Sequence, residues 1–408
     1  MASFSPKNYF KKIQSPDVLV AYYAMHNIQA LFEISEQTPR KQAVEIMYDF
    51  YLSLTPEQKY DIERELALIH SLSTKYAPEI FVKLLSKKGV DTKETLIECV
   101  TDHDKVLYYY VHHKEAVDEV FFVHDFYTTK GYMLYEAKEV SIDVAEMNLS
   151  ECAREFKRIA QKEDRVTECS VTTEVLDGVI YFGTIFDGSP MLTPSRDKET
   201  GEIDRKKTTR KIEEVRVVYL PKDKEVLISY TGGKQEKLLF LDTFLRTVCD
   251  SSYEDKEQLF DFIHFKDEGF DFFATNKGVP LMTWKIKSIG FAFGDGKVKN
   301  KVKLSLPSGV AEQKLTPLYS TIKELGIGEA FKKAGIESIA LQFAFTHKEN
   351  SEKSVKVGCT VTSLKTSLSP LLPYDRYART LLKLSGIDKG FVEKVVKVKE
   401  EKIQKWEV

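Results

Sequence analysis

The sequence predicts an α+β chain: an N-terminal helical bundle followed by a mostly antiparallel sheet domain built from repeated β-hairpin–helix units. Three observations predict it. Apolar residues in the first third recur at helical spacing behind proline-marked starts. After about residue 163 the period switches to two. A strand–turn–strand–helix pattern then recurs near 212–250, 283–326 and 336–386. The boundary is placed between 1–162, the bundle, and 163–408, the α+β domain.

Three starts share one grammar. Ser15-Pro16, Thr38-Pro39 and Thr55-Pro56 each put a hydroxyl where an orphan N–H needs an acceptor, and a proline where no N–H is required. Thr55-x-x-Gln58 also fits a capping box. Val18, Tyr22, Met25 and Leu31 or Phe32, then Val44, Met47 and Phe50 or Tyr51, then Ile62, Leu66, Ile69 and Leu72 keep a helical period. Ile80–Leu85 and Thr92–Val100 read as short pieces, and Val106–Val123 as one longer helix.

Cys169, Val171 and Thr173 alternate, Asp177-Gly178 is a hairpin signal, and Val179–Ile185 is β-rich. Asp187–Lys211 is charged, contains Gly188, Pro190, Pro194 and Gly201, and reads as a loop of roughly 25 residues. The first full repeat follows. Val215, Val217 and Tyr219 alternate, Pro221–Lys224 turns, and Val226, Ile228 and Tyr230 alternate. Gly232-Gly233 breaks the strand, and Leu238, Leu241, Leu245 and Val248 are helical. Ser252–Asp271 reads as a connecting helix and turn. The second repeat turns at Gly294-Asp295-Gly296 and ends at Gly326; the third turns at His347–Lys353 and ends at Gly386. Tandem units of this kind can form one continuous sheet. Lys389–Val408 reads as a basic terminal helix or a frayed end.

Composition bounds the function. The chain of 408 residues is 42% hydrophobic, enough for sizeable cores. No apolar run approaches the ~20 residues of a membrane span, and Met1–Gln14 lacks the apolar core of a secretory signal. Five scattered cysteines without a C-x-x-C spacing argue against a disulfide framework or a structural zinc site, and fit reduced thiols in the cytoplasm. The net charge of −2 hides an asymmetry: Met1–Ser150 carries roughly −7 and Asp271–Val408 roughly +10. No phosphate-binding glycine loop and no nucleophile elbow is present.

Three function classes remain. Lys285, Lys287, Lys297, Lys299, Lys301 and Lys303 alternate with Trp284, Ile286, Val298 and Val302, so a strand would place them along the solvent face of a sheet. Such a row neutralises phosphates without reading bases. This is the leading expectation: a non-enzymatic binding or assembly protein whose basic C-terminal half contacts DNA or RNA, as a component of a bacterial multi-protein antiviral defence system would. The acidic, tyrosine-bearing front (Tyr22, Tyr23, Tyr48, Tyr51, Tyr108, Tyr109, Tyr110) would dock a protein partner or a second copy. The second class is enzymatic. Asp125, then the apolar run Tyr132–Tyr135, then Glu136-x-Lys138 resembles the PD-(D/E)xK nuclease pattern over about 15 residues, with His124 where the pattern has proline. The resemblance implies that Asp125 and Glu136 hold magnesium while Lys138 positions the attacking water; magnesium is the only cofactor expected, and only here. The histidines His103, His112, His113 and His124 lack the i, i+4 pairing of a metal site, although His113 and His124 could share a face of one long helix. The third class is a purely structural homo-oligomer.

Overall fold

The computed structural model describes residues 4–30, 32–35, 37–92, 99–129, 131–138, 148–161, 169–192, 195–196, 203–204, 208–253, 256–293, 300–306, 315–347 and 353–393. Its contacts divide the chain into two units that are discontinuous in sequence. One takes Met1–Lys130, Ser170–Ile185 and Val218–Leu220; the other takes Gly131–Cys169, Phe186–Val217 and Pro221–Val408.

The first unit holds helices α1 (Pro6–Phe10), α2 (Pro16–Met25), α3 (Arg40–Ser53), α4 (Pro56–Leu72), α5 (Ala77–Lys87), α6 (Asp102–His112) and α7 (Val117–Thr128). Prolines open α2 and α4 as expected. At the third start the proline stands one place earlier. Pro39 has an extended backbone (ψ 137°), α3 begins at Arg40, and the Thr38 hydroxyl accepts from Ser35 N–H instead. The capping box forms: Gln58 N–H donates to Thr55 Oγ1 (3.3 Å) and Thr55 N–H to Gln58 Oε1 (3.0 Å). Thr55 is exposed, so Thr55→Ala removes the cap and little packing. It is expected to cost about 1 kcal/mol, read as faster amide exchange in the first turn of α4; unchanged exchange would show the cap to be idle.

The expected long helix over 106–123 is two helices. His113 leaves helical geometry (φ −139°, ψ 48°), and a 3-10 turn over Lys114–Ala116 re-aims the chain into α7. No glycine or proline announces that break. Asp104 ties the unit together. Its Oδ1 accepts from Gln14 and Ser15 N–H (2.9 and 3.1 Å), at the start of α2, and its Oδ2 from Thr101 N–H (2.9 Å) and Thr101 Oγ1 (2.8 Å), at the start of α6. One buried carboxylate therefore satisfies donors at two helix starts.

In chain order the remaining elements are β1 (Met133–Glu136), α8 (Leu149–Gln161), β2 (Cys169–Leu176), β3 (Val179–Leu192), β4 (Ser195–Arg196), β5 (Ile203–Asp204), β6 (Thr208–Leu220), β7 (Glu225–Tyr230), α9 (Lys234–Val248), β8 (Lys256–Phe260), β9 (Leu281–Phe293), β10 (Asn300–Ser305), α10 (Thr316–Glu324), α11 (Gly328–Lys333), β11 (Gly335–Thr346), β12 (Ser354–Thr362), β13 (Lys365–Thr366), α12 (Pro373–Leu384) and β14 (Asp388–Glu393). The strand order of one sheet is β1-β7-β6-β3-β2 and of the other β10-β9-β11-β12-β13; β14-β8 and β4-β5 form two-stranded pairs.

All three hairpin–helix units stand where the periodicity puts them: β6-β7-α9, β9-β10-α10 and β11-β12-α12. They do not share one sheet. The first hairpin belongs to a different sheet from the other two, which pair through β9 and β11. The Asp177-Gly178 turn has positive φ at both residues (54° and 77°), as a two-residue hairpin loop demands. Gly232 is required for space, because a Cβ there would sit 2.2 Å from the Tyr230 ring.

Two other expectations are corrected. Much of 187–211 is strand: β3 runs on to Leu192, β6 begins at Thr208, and β4 and β5 pair between them through Ser195–Asp204 and Arg196–Ile203. A two-stranded ribbon needs only backbone partners, so a polar composition conceals it. Ser252–Asp271 holds β8 and a 3-10 turn over Ile263–Lys266 rather than an α-helix. The i, i+3 spacing of Phe262 and Phe265 belongs to that tighter turn. The terminal segment contributes β14, paired with β8; 394–408, Gly294–Gly296 and residues 93–98 of the Thr92–Val100 piece lie outside the described residues.

The core of the second sheet is aromatic. Phe272 packs edge-on against Trp284 (4.8 Å) and Phe343 (5.1 Å), and Trp284 Nε1–H donates to Asp271 Oδ1 (2.8 Å), so the buried indole has its partner. Among the described residues no helix is long and apolar enough to cross a membrane.

Candidate nucleic-acid interface

Strands β9 to β13 carry six lysines (Lys285, Lys287, Lys301, Lys303, Lys356, Lys365) and one acidic residue, Glu337. The pairing register sorts them by face. Val302 stands opposite Phe291 and Leu304 opposite Ile289, and all four pack on the core. Lys301 and Lys303, opposite Ala292 and Gly290, therefore lie on the outer face. Lys285 pairs with Gln342, between core residues Trp284 and Ile286, and shares that outer face. A bulge between the Ala340–Ser288 and Leu341–Ile286 pairs leaves Lys287 exposed beside Ser288.

One row of partners crosses all five strands: Lys303, Gly290, Ser338, Thr362 and Lys365. Neighbouring rows read Ser288, Ala340, Thr360, then Lys285, Gln342, Gly358, then Thr283, Ala344, Lys356. The floor is thus made of small and neutral residues, with lysines toward both edges. Every aromatic residue of these strands (Trp284, Phe291, Phe293, Phe343, Phe345) faces or packs against the core instead. Lys301 donates to Glu337 at 2.8 Å, which offsets part of its charge; Lys287, Lys303, Lys356 and Lys365 are exposed.

Of the lysines singled out by alternation, Lys285, Lys287, Lys301 and Lys303 come together, while Lys297 and Lys299 lie outside the described residues. Lys356 and Lys365 join them. Lys356 alternates with Val355 and Val357 and was open to the same reading. Lys365 follows a short turn whose register only the pairing reveals.

No protein family matches the chain, and no curated protein matches it. The interface must be judged on its chemistry.

Of the nuclease trio, Asp125 lies on helix α7 in the first unit. Glu136 ends β1 as expected, and its carboxylate pairs with Lys256 at 3.2 Å. Lys138 has an exposed side chain, and its backbone N–H donates to Ser252 O (3.0 Å). Among the described residues no group of three or more His, Cys, Asp and Glu side chains converges as a metal ion would require.

The tyrosines expected to dock a partner are mostly core. Tyr22, Tyr23, Tyr51, Tyr109 and Tyr110 are buried; Tyr48 and Tyr108 are partly exposed. Their rings pack on Phe50, Phe10 and Phe81, so their area is spent inside the unit.

Of the histidines, His103 and His124 are buried, His113 is half-buried and His112 is exposed. His70 Nδ1 and His103 Nε2 share a hydrogen bond (3.1 Å) beside the Tyr9 ring, and His124 Nε2 meets Thr74 Oγ1 (2.8 Å). Burial pushes His103 down to about 4, with Lys12 and His70 adding to the effect and Asp104 opposing it. His70 and His124 are lowered too, chiefly by burial. A depressed folded-state value means stability present above the unfolded value of about 6.5 and lost as pH falls toward 4. His103 alone is expected to cost about 2 kcal/mol between pH 8 and pH 5. Amide exchange in α4 and α6, compared at the two pH values after correction for the intrinsic rate, checks this. His103→Gln should flatten the dependence; an equal dependence in that variant would contradict the assignment.

Proposed function

We propose that this protein is a non-enzymatic binding protein that holds nucleic acid against the outer face of β10-β9-β11-β12-β13. One observation carries the reading: six lysines from four strands on a sheet whose strands contain a single acidic residue, with small neutral side chains between them. Lysine is a compact point charge that suits phosphate oxygens and carries no base-reading geometry. The affinity is therefore salt-sensitive and nearly independent of sequence. Lysines on edge strands also discourage sheet-to-sheet association, which explains Lys303 and Lys365 on β10 and β13 without a ligand. It extends to Lys356, because β13 covers only Val361 and Thr362 of β12, but it does not explain Lys287, whose carbonyl accepts from Leu306 N–H on one side while β11 flanks β9 on the other.

The test is binding of short oligonucleotides of unrelated sequence at low salt. Binding to all of them with similar affinity supports the reading. Binding to one sequence alone would move the site to residues that read bases, and no binding would remove the reading.

A further inference from the structure

We infer that the ligand of this face is a duplex, held by both of its phosphate rows, rather than a single strand; the inference rests on the nucleic-acid reading above. The charge is arranged in two rims. Lys285, Lys287, Lys301 and Lys303 stand on β9 and β10, and Lys356 and Lys365 stand on β12 and β13. Between them β11 presents Ser338, Ala340, Gln342 and Ala344 to the same face.

A single strand offers one line of phosphates and exposed bases. Proteins that hold it without sequence preference supply aromatic platforms on which those bases stack. Among the described residues its five strands offer none, since their aromatics pack with the core. A duplex offers two phosphate lines with paired bases between them, and asks for two cationic rims and a floor that does not intrude. Geometry agrees with the second demand. The row from Lys303 to Lys365 spans four strand spacings, about 19 Å between backbones at ~4.8 Å each. Lysine side chains leaning inward shorten that span toward a major-groove width of about 12 Å. Along β9, alternate residues such as Lys285 and Lys287 are about 6.6 Å apart or a little less across the bulge, comparable to successive phosphates on one strand. The low floor keeps the backbone accessible: Gly290 has no side chain, and Ser338 Oγ would lie 2.6 Å from a Cβ placed there.

The experiment compares a 20-base-pair duplex with its separated 20-nucleotide strand, as DNA and as RNA, at about 0.1 M salt. The proteins are the full chain, a variant of one rim (Lys287→Glu with Lys303→Glu) and a variant of the other (Lys356→Glu with Lys365→Glu). Glutamine replacements at the same positions, with circular dichroism, separate charge from folding. The expected result is tighter binding of duplex than of single strand, with each rim variant weakening the duplex by at least about 60-fold, since each lost phosphate contact is worth roughly eightfold at this salt. A single strand bound as tightly as the duplex, or a far rim whose reversal changes nothing, would overturn the duplex inference and leave the nucleic-acid reading standing. Absence of binding to any of the four ligands would overturn both.

Discussion

Replacing Lys287 and Lys303 with glutamate is expected to weaken nucleic-acid binding about hundredfold at 0.1 M salt. The magnitude follows from counterion release. Affinity varies with salt to the power of about −0.9 per neutralised phosphate, so each contact contributes roughly eightfold at 0.1 M and two contribute about 60-fold. Reversing the charge adds repulsion to that loss. Both side chains are exposed, so the fold has little at stake. The salt dependence should flatten by about two contacts, a signature that misfolding does not produce. Lys301 is the poorer choice, because its partner Glu337 would be left unpaired on the same face. A variant that binds as tightly as the native chain, with an unchanged salt dependence, would place the contacts elsewhere.

Arg379→Ala is expected to destabilise the second unit by about 2–3 kcal/mol, the cost of stranding one partner of a half-buried, charge-assisted hydrogen-bonded pair. Arg379 on α12 forms a two-pronged contact with Glu225 on β7: Nη1 to Oε2 at 3.0 Å and Nη2 to Oε1 at 2.7 Å. The two side chains are only 14% and 16% exposed, so water cannot replace the lost partner cheaply. The contact also joins the helix of the third hairpin unit to a strand of the first sheet. Urea unfolding of the variant should shift to lower midpoint. Replacing both residues with apolar ones of similar volume, Glu225→Leu with Arg379→Met, should recover most of the loss. If the double variant is as unstable as the single one, the guanidinium contributes through packing rather than charge.

How much of this was legible in the sequence depended on the physical signal. Periods of 3.6 and 2.0 are local, and they placed α4, β7, β9, β12 and the three hairpin–helix units without knowledge of neighbours. Side chains that alternate in a strand also sort by face, which is why Lys285, Lys301 and Lys303 were identifiable as outward residues. Register is not local. That Lys365 stands across the sheet from Lys303, or that the first hairpin belongs to another sheet, follows from pairings between residues far apart in sequence. The break at His113 had no glycine or proline to mark it, so the period ran through it. The ribbon within 187–211 escaped notice because its two strands are only two residues long and are defined by backbone pairing alone. The tyrosines misled for a different reason: their amphipathic side chains suit an interface and a core equally well.

The central claim is that the outer lysine face binds nucleic acid through its phosphates. Its most direct test is the salt dependence of binding between the unmodified full chain and a 20-base-pair duplex, from about 50 to 200 mM. Contacts from Lys285, Lys287, Lys303, Lys356 and Lys365 predict a slope of log K against log salt near about −4.5, a loss of roughly 500-fold across that range. No binding at 50 mM, or binding whose strength does not change with salt, would contradict the account.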